Sequence, residues 1–192
     1  MMDKVEAHRC LFRFMKQEMP LYEFEQWLYQ HTELENLLGV KEYLEFISRD
    51  YHHTFSFHEC ETQIRRLIDP AAFEQERLVE LLRKLAVSDD QSLEVMKVLY
   101  EEYGSGFTFL RYIALVFITT SDEHQTILGE DKTKLASYLV PIAAEAKRLL
   151  SFFENHELLV TSENDYLDNR QQADRIELHS INEMLGRTES GG

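Results

Sequence analysis

The sequence predicts an all-α fold, a single-domain bundle of about nine helices or a stack of helical hairpins. Three observations predict it. Apolar residues recur at spacings of three and four almost throughout, the period of a helix that buries one face. Only seven Gly and three Pro occur in 192 residues, and they fall mostly where elements would end. Ser, Asp and Pro stand ahead of several apolar runs, where a helix start needs an acceptor or tolerates a missing N–H.

The first helix is expected from about Val5 to Met19, with Ala7, Leu11, Phe14 and Met15 inward. Pro20 opens the second, whose inner face is Phe24, Trp27, Leu28 and His31. Gly39 closes Leu34–Leu38, and the next helix turns Tyr43, Leu44, Ile47 and Tyr51 inward. Ser56 and Glu59 have capping-box spacing ahead of Phe57, Cys60, Ile64 and Leu67. Asp69-Pro70 gives an N-cap and a first-turn proline to a helix burying Leu78, Leu81, Leu82 and Leu85. Ser88 and Gln91 repeat the capping-box spacing ahead of Leu93, Met96, Tyr100 and Tyr103, and Gly104 and Gly106 end that helix.

The run from Phe107 to Ile118 carries one charge, Arg111, and periodicity alone does not separate a buried helix from a strand there. No second strand-like run of similar quality exists to pair with it, so a central buried helix is expected. Long helices follow at about Asp131 to Phe153 and about Glu163 to Leu185. Pro141 lies inside the first, where a missing N–H kinks a helix. The domain is expected over residues 1–186, with a flexible tail over 187–192.

Charge narrows the function. Thirty-five Asp and Glu against twenty Lys and Arg give a net charge of -15, yet 44% of residues are apolar. That is too hydrophobic for an acidic disordered chain. A folded core with a negative coat is ill suited to nucleic acid or anionic membrane, and well suited to rapid capture of a basic protein. The N-terminal residues lack the basic-then-apolar order of a secretory signal, and no apolar run is long enough to span a membrane. Cys10 and Cys60 are too few for a disulfide framework, which fits a reduced, cytoplasmic setting.

The chemistry-bearing clusters do not add up to an enzyme. His52, His53, His58, Glu59 and Cys60 are residue types that bind zinc, but a second ligand pair at diagnostic spacing is missing. No metal and no cofactor are expected. The adjacent pairs Glu101-Glu102, Asp122-Glu123 and Glu130-Asp131 read as helix-surface charge, and no nucleophile elbow or glycine-rich phosphate loop occurs. The aromatics Tyr100, Tyr103, Phe107, Phe109, Tyr112 and Phe117 are spaced as core residues, while Trp27 fits either core or a binding surface. No catalytic residue is assigned.

The acidic run from Pro20 to Glu61 is the functional candidate. It holds Glu23, Glu25, Glu33, Glu35, Glu42, Glu45, Asp50, Glu59 and Glu61 against Lys41 and Arg49. Such density of like charge works against a compact fold, so it asks for a reason beyond solubility. A second stretch, Glu154 to Asp168, holds five carboxylates and no Lys or Arg.

Three segments also carry a resemblance. Leu21-Tyr22-Glu23-Phe24-Glu25-Gln26-Trp27-Leu28-Tyr29, then Leu34-Glu35-Asn36-Leu37-Leu38-Gly39 and Tyr43-Leu44-Glu45-Phe46-Ile47-Ser48, resemble the N-terminal half of small bacterial immunity proteins. Those are encoded beside polymorphic or contact-dependent toxins. The segment from Val98 to Leu110 is similar to a later part of the same kind of protein, and together the matches cover under half of the chain. The resemblance implies a cytosolic inhibitor of a cognate protein toxin, often a nuclease with a basic cleft. It transfers no contact map, so the partner-binding residues Glu23, Glu25, Glu33, Glu35, Glu42, Glu45 and Asp50 rest on charge. The competing expectation is an acidic helical adaptor that joins other proteins.

Overall fold

The computed structural model describes residues 2–89, 91–119 and 131–176. Among these lie nine α-helices: α1 (Lys4–Met15), α2 (Leu21–Gln30), α3 (Leu34–Leu38), α4 (Val40–Ile47), α5 (Ser56–Leu67), α6 (Pro70–Val87), α7 (Ser92–Ser105), α8 (Arg111–Ile118) and α9 (Lys132–Glu154). The fold is mostly helical, as its periodicity requires. A small antiparallel hairpin, β1 (Leu158–Ser162) and β2 (Asp165–Asp168), follows α9. The chain divides into two compact units, one up to Phe73 and one from Glu74 onward.

The first unit has an aromatic core. Phe14 stacks on Phe24 with ring centroids 3.9 Å apart, and Phe46 meets Phe24 edge-on at 5.8 Å. Leu11, Leu28, Leu34 and Ile64 close around them without solvent exposure. Asp3 forms a reciprocal capping box with Glu6 at the start of α1. Tyr43 and Phe46 are the inward residues of α4, whereas Leu44, expected inside, is exposed. Tyr100 on α7 is likewise exposed, because Val95, Met96 and Leu99 take the inner face. A one-residue phase difference separates such faces, since neighbours on a helix point about 100° apart.

In the second unit, Leu78, Leu82, Leu85, Met96, Leu99, Ile113, Ile142 and Leu149 form the core. Phe107–Ile118 is helical, with a 3-10 turn at Thr108–Leu110 leading into α8. Phe107, Leu110 and Ile113 are fully buried there, although Ile118 at its end is exposed. Asp131 caps α9 by accepting from Thr133 and Lys134 N–H, and Pro141 lies inside the helix.

Two capping expectations fail. Ser56 does not cap α5: its Oγ donates to the carbonyls of Asp50 and His53, and Phe55 stands at the N-cap. Ser88 does not cap α7 either, since Asp89 accepts from Gln91 N–H in the connecting turn. Asp69 does act as expected, accepting from Ala71 N–H at the first turn of α6.

The expected last helix is also overturned where it is described. Glu163–Asp168 lies in the hairpin turn and β2. Residues 177–185 of that expectation and the 187–192 tail lie outside the described residues. α9 ends where expected, at a His156 with a left-handed φ of 58°. His156 N–H reaches the Phe153 carbonyl and Glu157 N–H that of Phe152, the paired bonds of a Schellman ending. Gln17 (φ 59°) ends α1 early by the same device, its N–H donating to the Phe14 carbonyl and Glu18 N–H to that of Arg13. Neither residue is the glycine that advertises such an ending.

Gly106 does advertise one, with φ 133° after α7. A Cβ there would meet the Asn164 carbonyl oxygen at 2.4 Å, so the hairpin turn packs directly on its backbone. Gly104 is helical and has nothing within 4 Å of such a Cβ. Gly106→Ala is therefore expected to destabilise by about 1–3 kcal/mol from backbone strain and the clash. Gly104→Ala should be neutral or stabilising by up to about 1 kcal/mol. Thermal or denaturant unfolding of the two variants checks this; equal effects would contradict the close approach of the hairpin.

Candidate functional site

The acidic run of the first unit is not one uniform face. Glu23 and Glu25 leave α2 about 200° apart, because they are two residues apart on a helix. Glu23 accepts from the exposed Tyr22 hydroxyl at 2.9 Å. Glu25 lies beside Tyr29, whose phenol is raised by partial burial and by the Glu25 charge. Tyr29 in turn donates to the Ile47 carbonyl at 3.4 Å, which ties the α2 surface to the end of α4. Glu33 precedes α3 and Glu35 lies in its first turn; both are half-buried and neither has an ion-pair partner among the described residues.

Glu42 and Glu45 point elsewhere. They occupy one stripe of α4, three residues apart and turned toward α5, and Arg49 follows just beyond the end of the helix. Gln63 Nε2 donates to the Glu42 carbonyl and carboxylate at 2.9 and 3.2 Å. Glu45 receives Arg66 at 3.0 Å and lies 3.7 Å from Arg49. The Arg49 side chain is only 10% exposed and also reaches Glu59 Oε2 at 3.5 Å, Gln63 Oε1 at 3.1 Å and Cys60 Sγ at 2.9 Å. A guanidinium so enclosed must be matched by carboxylates and acceptors. Asp50 accepts from His52 N–H and closes the following turn. The run thus splits into carboxylates that hold α4 to α5 and carboxylates without an ion-pair partner among the described residues.

The histidine and cysteine group is dispersed. His52 and His53 are exposed in the turn before α5, and exposed His58 faces Glu61 at 3.4 Å. Cys60 is buried on the inward side of α5, where burial raises its thiol despite the Arg49 hydrogen bond and charge. Among the described residues, no three His, Cys, Asp or Glu side chains gather as a metal site.

Two carboxylates read as surface charge or overlooked are in fact interior. Glu74 and Glu102 are buried, and Arg77 Nη1 joins their Oε1 atoms at 2.9 and 2.7 Å. The partner of Glu102, Glu101, is exposed as expected. Asp122, Glu123 and Glu130 lie outside the described residues. Of the aromatics, Phe107 and Phe109 are core, and Tyr103, Tyr112 and Phe117 pack half-buried against them. Trp27 is half-buried, stacked on Phe24 at 5.8 Å.

The second acidic stretch also divides. Asp168 takes a fork of bonds from Arg170, Nε to Oδ1 at 2.9 Å and Nη2 to Oδ2 at 2.7 Å. The Arg170 side chain is only 4% exposed and lies over the Phe152 ring at 5.3 Å. Burial pushes the Asp168 carboxyl up, but the Arg170 hydrogen bonds and the charges of Arg170 and Arg175 together hold it below the ordinary range. No sequence signal marked this pair, since arginine two residues beyond an aspartate is unremarkable until a hairpin brings the chain inward.

Comparison with protein-family models, with curated proteins and with solved structures finds no match in any of the three. Among the described residues no helix is long and apolar enough to cross a membrane.

Asp168→Asn leaves the Arg170 charge without its counter-ion and is expected to cost about 3 kcal/mol or more at neutral pH. Because the folded carboxyl titrates below its unfolded value of about 3.9, that contribution is complete above this pH and lost as pH falls through the lower folded value. The gap in melting temperature between wild type and Asp168→Asn should therefore narrow below about pH 4. A gap that stays constant down to pH 2 would show that the ion pair is not its source.

Proposed function

We propose that this chain is an immunity protein that captures and neutralises a cognate basic toxin domain, of nuclease type, through the α2–α4 surface of its first unit. One observation carries the reading: carboxylates without an ion-pair partner among the described residues stand among exposed large apolar side chains. Glu23, Glu33 and Glu35 lie along the same α2–α4 segment as Tyr22, Tyr29, Val40 and Leu44, which are 66%, 46%, 55% and 51% exposed. Tyr22, Glu25 and Tyr29 form one stripe of α2, and Val40 and Leu44 one stripe of α4. Aromatic anchors within a charged rim are the usual make-up of a protein-binding patch.

The chemistry divides between the two kinds of group. The carboxylates draw in a positively charged cleft and set the encounter rate. The tyrosines supply rigid contact area with a polar tip, which holds the complex once formed. Inhibition is by occupation of the toxin in the cytoplasm, without a catalytic group or cofactor from this chain. An acidic adaptor would use a similar patch but would have no lethal neighbour to neutralise.

Glu42 and Glu45 are left out of the test because they hold α5. Co-purification with the product of the neighbouring reading frame should yield a complex. Glu23→Lys with Glu33→Lys and Glu35→Lys should slow association about tenfold or more at low salt, and flatten its salt dependence. Tyr22→Ala with Tyr29→Ala should instead quicken dissociation. Wild-type protection and unchanged kinetics in the charge-reversed variant would contradict the reading.

A further inference from the structure

The second unit holds a pocket of opposite character to the coat. A cleft of about 640 Å³ is lined by Thr108, Arg111, Tyr166, Asp168, Arg170 and Arg175, with Phe109 and Ile176 as its apolar wall. Three guanidiniums face one carboxylate, leaving two positive charges in a chain whose net charge is -15. The Arg170 charge is matched by Asp168 through their forked pair. Arg175 is held at the rim by its Nη2, which donates to the carbonyls of Asp168 and Arg170 at 2.9 and 3.1 Å. Its Nε is buried without a hydrogen bond, 3.7 Å from Asp168 Oδ2.

Arg111 is the decisive residue. Its guanidinium has no hydrogen bond or ion pair with any described residue, and its Nε is buried. Thirty-five carboxylates are present in the sequence, yet none of the described ones is placed against it. A half-buried guanidinium whose Nε is buried, with no counter-charge among the described residues, is unfavourable, and an incoming anion relieves that cost. Beside it the hydroxyls of Thr108 and Tyr166 lie 2.7 Å apart, one donating to the other, so one proton remains to offer an acceptor.

We propose that this pocket binds a phosphate monoester whose alcohol carries a flat apolar group. Arginine forks match the oxygens of a phosphate, with the hydroxyl pair as a further donor. The volume falls in the range of about 300–1,000 Å³ typical of small-molecule sites, and exceeds what a bare oxyanion fills. The rings of Phe109 and Tyr166, edge-to-face at 4.9 Å, and the Ile176 side chain receive the apolar part. The site lies in the unit from Glu74 onward and is independent of the α2–α4 surface, so either can fail without the other.

Calorimetric titration of the full chain with phenyl phosphate, inorganic phosphate and benzoate at constant ionic strength tests this. Phenyl phosphate should bind saturably and more tightly than either of the others. Arg111→Gln should weaken it about tenfold or more, and Arg111→Lys should restore part of the affinity by keeping the charge without the fork. Because Arg111 has no partner among the described residues, the melting temperature of both variants without ligand should be unchanged or higher. Absence of saturable phenyl phosphate binding, benzoate binding equally well, or wild-type affinity in a folded Arg111→Gln would overturn the proposal.

Discussion

The distribution of a few buried arginines is the constraint on which the rest depends. With fifteen more acidic than basic side chains, most carboxylates cannot find a cation, and the ones that do are chosen by the fold. Arg49 takes Glu45 and Glu59 and thereby fixes α4 against α5. Arg77 gathers Glu74 and Glu102, and Arg148 forks onto Glu145 at 2.7 and 2.8 Å while donating to the Asp174 carbonyl. Arg170 takes Asp168 and stacks on Phe152. Each is an interior or half-buried cation, where pairing is worth far more than on the surface. The carboxylates left over define the negative coat, and Arg111, which has no ion pair with any described residue, lines a pocket.

That division separates structure from function within the same residue type. Glu45 and Glu35 are indistinguishable by composition, yet the first faces Arg66 and Arg49 while the second has no ion-pair partner among the described residues. Uncompensated surface charge costs little individually and raises encounter rates with a basic partner. Paired interior charge fixes which helix faces which. The two units show the two outcomes in turn: a negative surface studded with tyrosines in one, a positive cavity in the other.

Much of the fold was legible because helical periodicity is a long-range signal. Leu78, Leu82 and Leu85 on α6, and Cys60 and Ile64 on α5, face inward as their spacing requires. Phe107–Ile118 reads as a helix because it has no strand of its own length to pair with. What stayed hidden is local. Gln17 and His156 end helices in a left-handed conformation without being glycine; α1 stops at Met15 rather than Met19, α9 ends within a residue of the expected Phe153, and β2 takes the start of the expected last helix. Leu158, Leu159 and Val160, followed by Ser162 and Asn164, do carry a short strand-and-turn signal, which a nearby helical period outweighs. The acidic run was visible as a density of charge, but which members pair across α4 and α5 depends on helix phase, and Arg66 lies 21 residues from Glu45. The arginine pocket was invisible, because its lining comes from residues around 108 and 170 that only the fold brings together.

The central claim is that arginines, rather than sequence density, decide which carboxylates are structural. Thermal unfolding at low salt of two neutralised pairs measures it most directly: Glu45→Gln with Glu59→Gln, against Glu33→Gln with Glu35→Gln. The first pair leaves Arg49 enclosed without a counter-charge and should lower the melting temperature by several degrees. The second removes only like-charge repulsion and should leave it unchanged or raise it. Equal shifts in both variants, or a loss confined to the second, would contradict the account.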